Sequence, residues 1–418
     1  MKDSFYKRDT CRLCGSKNIK LALSLTPTAL CDAYVSASRA DITQPVFPLD
    51  LFLCLDCGFV FLPYVINPEL IYRDYIYVTT SSLGLVDHFR SYADAVFSKV
   101  NPAQDTLVVD IGSNDGTLLK FFQNKKMKVL GVEPANEIAR KVTESGVNTL
   151  ADFFDLKLAD KIVRNYGKAA IVTINNLFAN IDELSSVVEG VKLLLLPKGV
   201  FIIESSYLAD MINNMVFDFI YHEHLSYFSI KPLISYFNRL GMEIFDVEHV
   251  STKGGSLRYY IQLKGAGRPV SALVVKLQQY EDSIGLGSIE IFNRFSEKIT
   301  QKKNQLIEKL NQIKKQGKSI VGYGGSATST TFLYYFDLKN FIDYIVDDNP
   351  AKQNTLSPGY HIPVLPADVI NNKRPDYILV IAWRYFDDIV KKNKLYIQGG
   401  GSFIKPLPEL EIVGGNVV

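Results

Sequence analysis

Residues 105–122 read DTLVVDIGSNDGTLLKFF. Thr106 to Gly112 (TLVVDIG) is a mostly apolar run broken by one acid, the pattern of a strand buried on both faces. Gly112 to Gly116 supply a tight turn, and Thr117 opens a helix. The alternation continues with a strand at 128–134, a helix at 136–146, a strand at 169–178, a helix at 181–195 and a strand at 199–205. A helix at 231–241 and strands at 242–250 and 256–265 follow an insert at 205–230. Apolar strands alternating with helices predict a doubly wound α/β sheet. The last two strands have no helix between them, so one is expected to run antiparallel at the sheet edge. A helix is expected from about Leu85 to Val100, and an amphipathic helical stretch from about Val270 to Lys315. A second strand, glycine turn and helix begins at 318–336 (KSIVGYGGSATSTTFLYYF), which predicts a smaller Rossmann-like unit.

The turn Asp110-Ile111-Gly112-Ser113-Asn114-Asp115-Gly116 is not the G-x-G-x-x-G of dinucleotide folds. It is the D-x-G-x-x-x-G common among S-adenosylmethionine (SAM) methyltransferases, which makes Asp110, Gly112, Asn114 and Gly116 cofactor candidates. Glu133, ending the next strand, is placed to accept from two ribose hydroxyls. Asp152 and Phe153 follow the third strand and suit an adenine, with the carboxylate on its amine and the ring on its face. Asn175 and Asn176 end the fourth strand and face the same crevice, outside the C-terminal strand ends. The competing reading is an NAD or nucleotide site on the same fold.

Four cysteines, Cys11-x-x-Cys14 and Cys54-x-x-Cys57, form two knuckles, each followed by a glycine (Gly15, Gly58). Two such pairs complete a tetrahedral zinc shell with no open position, hence one structural zinc per chain. A redox dithiol or two disulfides is the alternative. The roughly forty residues between the knuckles should carry structure of their own. Cys31 reads as an ordinary buried apolar residue.

Composition narrows the partners. A net charge of +2, with 22% charged residues, gives no reason to expect nucleic acid or a membrane surface. The apolar runs at 191–197, 200–203 and 377–383 are too short to span a bilayer. MKDSFYKRDT lacks the apolar core of a signal peptide, and metal-type cysteines suit a reducing compartment, so a cytoplasmic location is expected. The sequence leaves the oligomeric state open, a monomer among the outcomes.

The insert carries Tyr221-His222-Glu223-His224. A histidine is a ready general base at neutral pH, a neighbouring glutamate can orient it, and a tyrosine can polarise a carbonyl. His-x-His is also a metal spacing, and a set of satisfied structural polar groups is the third reading.

Taken together, Cys11-x-x-Cys14-Gly15, Cys54-x-x-Cys57-Gly58, Tyr75-x-Tyr77-x-Thr-Thr-Ser-Ser, DIGSNDGTLL, GVEPA, FDFIYHEHLSYFS, GGSLRYY, GYGGSAT, VDDNPAKQ and PGYHIPV span nearly the whole chain. By these motifs the chain resembles the zinc-containing, SAM-dependent sugar C-methyltransferases, which act on nucleotide-linked 4-keto deoxysugars. The resemblance implies a zinc module (1–72), a SAM methyltransferase domain (73–266), and a helical linker with a C-terminal Rossmann-like domain that helps bind the nucleotide-sugar (267–418). It implies that Tyr221, Glu223 and His224 line the active site, with His224 as base and Tyr221, Tyr75 or Tyr77 as donor to the oxyanion. His222, Lys253, Tyr323, Gly324, Ser326, Asp347 and Arg384 become candidates for the substrate. The chain departs from the family pattern at Asn180, Lys253, Thr328 and Arg384, positions that bear on which sugar is used and which carbon is methylated. Methylation of oxygen or nitrogen on a related sugar is the alternative chemistry. A non-catalytic homologue binding nucleotide-sugar or a partner is the alternative class.

Overall fold

The computed structural model describes residues 4–72 and 84–415. Tyr75 and Tyr77 lie outside the described residues. The central sheet has seven strands in the order Met242–Val250, Ser256–Leu263, Leu195–Ser206, Ala169–Asn175, Leu107–Ile111, Lys128–Val132, Thr149–Leu150. Neighbours run parallel except Ser256–Leu263, which is antiparallel to both strands beside it. The antiparallel strand is thus second from the edge, not at it: strand Met242–Val250 pairs outside it and becomes the edge. Alternate residues serve opposite faces. Val108, Ile171 and Ile202 pack against helices Leu85–Val100 and Thr117–Asn124, while Val109, Val172 and Phe201 join the core under helix Leu184–Leu194.

The N-terminal segment folds between its knuckles as strands Ile19–Thr28 and Phe47–Cys54, antiparallel to each other. Strand Phe47–Cys54 buries Phe47, Leu49, Leu51 and Leu53 on one face, the period-2 pattern of a half-covered strand. The C-terminal unit is an eight-stranded sheet centred on Ile320–Tyr323. It is joined through helices Ala272–Ser283 and Ile289–Lys315, the second burying the stripe Phe292, Phe295, Ile299, Leu306, Leu310 and Ile313.

Two short strands cross these units. Ser226–Tyr227, from the methyltransferase insert, pairs with Val60–Phe61 and edges the N-terminal sheet. Val35–Ser36, from the N-terminal segment, pairs with Thr355–Leu356 and edges the C-terminal sheet. The insert is thus held by the N-terminal sheet, and Arg384 on Asp218 with Thr331 on the Ile220 carbonyl ties it to the C-terminal unit. Among the described residues no helix is long and apolar enough to cross a membrane.

Candidate active site and metal centre

The four knuckle sulfurs lie within 4.8 Å of one another, with Cys11 and Cys57 at 3.6 Å and Cys14 and Cys54 at 3.5 Å. Thiolates each about 2.3 Å from a tetrahedral zinc stand about 3.8 Å apart, so the cluster fits the ion. The Cys57 hydrogen bond, with the amides of Cys14 and Leu13, pulls the Cys11 thiol down to about 5. Both glycines after the knuckles take left-handed backbone angles (φ 74° and 77°), which closes each turn. Among the described residues no other group of three or more His, Cys, Asp or Glu side chains is placed to hold a metal.

The cofactor candidates gather at the C-terminal ends of the central strands. Asp110 is buried, accepts from the Thr173 hydroxyl at 2.6 Å, and is pushed up to about 7 by burial. The two Glu133 oxygens accept the amides of Asn114 and Ala135, both at 3.0 Å, so the acid shapes the glycine turn as well as facing the crevice. Gly112 and Gly116 have a packing reason too. A Cβ would lie 2.5 Å from Leu177 and 2.8 Å from Val142. Asp152 and Phe153 are exposed at the mouth, Phe153 by 59%. Asn175 buries both atoms of its amide with no partner among the described residues. A buried amide left unpaired by the protein fits a polar ligand in the crevice.

Residues 217–227 cross above this crevice. His224, Phe219 and Tyr227 line a cleft with Asn176, Ser205 and Tyr207, so the loop and the fourth strand's end meet. His224 Nδ1 lies 3.2 Å from the Phe219 carbonyl and therefore donates to it. That tautomer leaves Nε2 as an acceptor for the Tyr221 hydroxyl at 2.9 Å. Burial, with the nearby Lys253 charge, drives His224 down to about 3, which keeps the imidazole neutral. Burial, with Asp32 adding to it, pushes Glu223 up to about 7. Cys31 is buried, as expected, and its thiol lies 3.5 Å from Glu223, so it adjoins this loop.

Family models match three stretches of the chain. Residues 11–72 match a zinc binding domain, 87–247 a methyltransferase domain, and 251–408 a C-methyltransferase C-terminal domain. The chain is 30% identical to the C-methyltransferase NovU of Streptomyces niveus over 417 residues, covering 100% of this chain and 99% of that one. The chain belongs to the C-methyltransferase family. SAM and zinc are its cofactors. Solved structures with partial likeness include magnesium protoporphyrin IX methyltransferase (ChlM) from Synechocystis PCC 6803 with bound SAM, at 14% identity and TM-score 0.34, covering 47% of this chain and 89% of that one. PH0226 from Pyrococcus horikoshii OT3 is 15% identical with TM-score 0.37, covering 47% and 99%.

In this C-methyltransferase, Glu133→Gln should weaken SAM binding about 10- to 100-fold, because the neutral amide loses hydrogen bonds that a carboxylate strengthens. Titration calorimetry reads this directly, and an unchanged affinity would move the ribose elsewhere.

Two substrate candidates are spoken for by the protein. His222 is buried against the edge of Phe47, its Nε2 at 3.3 Å from the carbonyls of Phe47 and Pro48. Burial takes it down to about 4, so a neutral ring ties the loop to the zinc module. Arg384 holds both oxygens of the fully buried Asp218, at 2.9 and 2.8 Å, and lies 4.5 Å over the Phe219 ring. A buried carboxylate needs such a partner, which the sequence pattern did not reveal. Thr328 accepts from Arg384 at 3.1 Å, so two of the family departures touch each other.

At the C-terminal glycine turn, Asp347 accepts the Gly325 amide, while Tyr34 and Lys352 donate to the Gly325 carbonyl. The Tyr323 hydroxyl donates to Asp348, and the Ser326 hydroxyl bonds those of Thr328 and Ser329. A Cβ on Gly324 would lie 2.3 Å from Ala382, so the neighbouring strand end requires that glycine.

The sequence reading passed over Glu204. It ends the fifth strand, fully buried, with His88 Nε2 at 2.5 Å from one oxygen and Arg258 Nε at 2.9 Å from the other. Burial alone would raise its pKa, yet His88 and Arg258 hold it below the usual carboxylate range. A lone acid closing an apolar strand at the crevice was the available signal.

Proposed function

We propose that this C-methyltransferase methylates the carbon beside the ketone of a nucleotide-linked 4-keto deoxysugar, in the cytoplasm. The Tyr221–His224 pair, whose imidazole lines one cleft with Asn176 from the cofactor strand, carries this reading. SAM supplies a methyl group already activated by its sulfonium. The protein's task is to remove a proton from carbon, keep water out and align two carbons. The ketone acidifies its neighbouring C–H. In the neutral pair, the Tyr221 oxygen takes that proton as its own passes to His224 Nε2. This differs from the expectation of His224 as the base and Tyr221 as a donor to the oxyanion, since the tautomer favoured by the Phe219 carbonyl points the Nε2 lone pair at the phenol.

Incubation with methyl-labelled SAM and a panel of nucleotide-linked keto sugars should yield a product with a new carbon–carbon bond. The enzyme without SAM should exchange deuterium from solvent into the same carbon. A label found on oxygen or nitrogen would replace this reading with the alternative chemistry.

A further inference from the structure

Lys253 sits in the turn Thr252–Gly254 with backbone angles φ 56° and ψ 27°. A side-chain-bearing residue is strained in that left-handed region, so its surroundings must hold it there. The Gly255 amide and the Ser256 hydroxyl both donate to the Thr252 carbonyl, at 3.0 and 3.1 Å. Ser256 lies opposite Ser206 in the sheet, and the Tyr207 amide donates to the Gly255 carbonyl at 3.1 Å. Ser206 and Tyr207 line the cleft that holds His224, so the Lys253 turn is pinned to that cleft's rim.

The charges facing Lys253 come from three elements. Glu204 stands on the fifth strand, Glu223 and His224 on the loop, and Arg384 on the C-terminal unit. Each has its own occupation: Glu204 with His88 and Arg258, Arg384 with Asp218, Glu223 beside Cys31, His224 with Tyr221. Lys253 is half-buried, and among the described residues nothing is in hydrogen-bond or ion-pair contact with its Nζ. An ammonium offers three donors and no acceptor, so one that spends none of them on the described residues is open to an incoming oxygen.

We propose that Lys253 is a catalytic residue whose ammonium donates to the ketone oxygen of the substrate and holds the enolate charge that develops there. This role rests on the keto-sugar reading. The proton leaves carbon for the Tyr221–His224 pair, and the C–H electron pair shifts to leave negative charge on the oxygen against Lys253. The enolate carbon then bonds the methyl carbon, the carbon–sulfur pair departs on sulfur as a thioether, and the oxygen returns to a ketone. Nothing else is oxidised or reduced. Burial brings the Lys253 amine down to about 8, with Arg384 adding to the effect and Glu204 and Glu223 opposing it. It is therefore charged at neutral pH, yet close enough to its pKa to respond to a neighbouring oxyanion.

The test uses the full zinc-loaded chain, methyl-labelled SAM and a nucleotide-linked 4-keto-6-deoxy sugar. Lys253→Met is expected to lower kcat about 10²–10³-fold, the range for losing one oxyanion donor. SAM affinity by calorimetry should stay at the wild-type value, which also reports folding. Wild-type kcat should fall as pH rises through about 8, as the amine loses its proton. Lys253→Arg, whose guanidinium stays charged, should keep part of the turnover and lose that alkaline fall. A Lys253→Met enzyme as fast as wild type overturns the role, and so does an alkaline limb that Lys253→Arg leaves in place. A wild-type enzyme that methylates no keto sugar overturns the keto-sugar reading and this role with it. That result is distinct from an active wild type beside an equally active Lys253→Met.

Discussion

His224→Asn loses methyl transfer, by about 10²–10⁴ in kcat, the range for removing a positioned proton acceptor. Asparagine is the informative replacement. Its amide can still donate to the Phe219 carbonyl as Nδ1 does now, at 3.2 Å, so the loop keeps that tie. What disappears is the Nε2 lone pair that takes the Tyr221 hydroxyl at 2.9 Å. SAM affinity should stand, because the cofactor candidates Asp110, Glu133 and Asn175 lie on strand ends that the substitution does not touch. Solvent-deuterium exchange beside the ketone should vanish with turnover, which places the loss at proton removal. The pH profile adds a sign. His224 is held down to about 3, below its ordinary 6.5, so it stays neutral when the medium drops from pH 8 to pH 5. No acid limb near 6.5 is expected from this residue. Single-turnover transfer of labelled methyl measures the first effect, and normal turnover in the variant would remove His224 from the mechanism.

Cys54→Ser strips the zinc and unfolds the N-terminal module. Structural zinc in small domains contributes about 10–16 kcal/mol of binding free energy, which is folding free energy where no site exists in the unfolded chain. Cys54 ends the strand whose other end meets His222, through the carbonyls of Phe47 and Pro48. Arg12, inside the first knuckle, donates to the carbonyls of Leu62 and Leu225 at 3.1 and 2.8 Å. Loss of metal should therefore reach the loop carrying Tyr221 and His224 and take activity with it. Metal analysis should find about one zinc in the wild type and in Cys31→Ser, and almost none in Cys54→Ser. Scanning calorimetry should show the variant's melting temperature lowered by ten degrees or more, on the order expected for several kcal/mol. Full stability in a metal-free protein would contradict a structural ion.

Several expectations rested on local signals, and these are the ones that hold. Helix Leu85–Val100 has the predicted bounds, because its apolar residues recur at helical spacing and Asn101 ends it in a left-handed cap. The helical stretch after Val270 divides at residues 284–288, where Gly285 and Gly287 interrupt it. The antiparallel strand was expected at the sheet edge because sequence order suggests adjacency in space. Hydrogen bonding places it inside instead. The crossing strands Val35–Ser36 and Ser226–Tyr227 are two residues each, too short for any period to announce them. His222 and Arg384 were assigned to substrate by resemblance, while their partners, Phe47, Pro48 and Asp218, stand more than 160 positions away in the chain.

The order of strands and helices, the turn at Gly112–Gly116 and each of the two Cys-x-x-Cys knuckles were determined by residues close in the chain, since periodicity and ligand spacing are local properties. The tertiary structure alone decided that residues 217–227 are gripped by two other units, and that Lys253 faces Glu204, Glu223, His224 and Arg384. Hydrogen bonds and Coulomb forces act over a few ångströms of space, whatever the separation along the backbone.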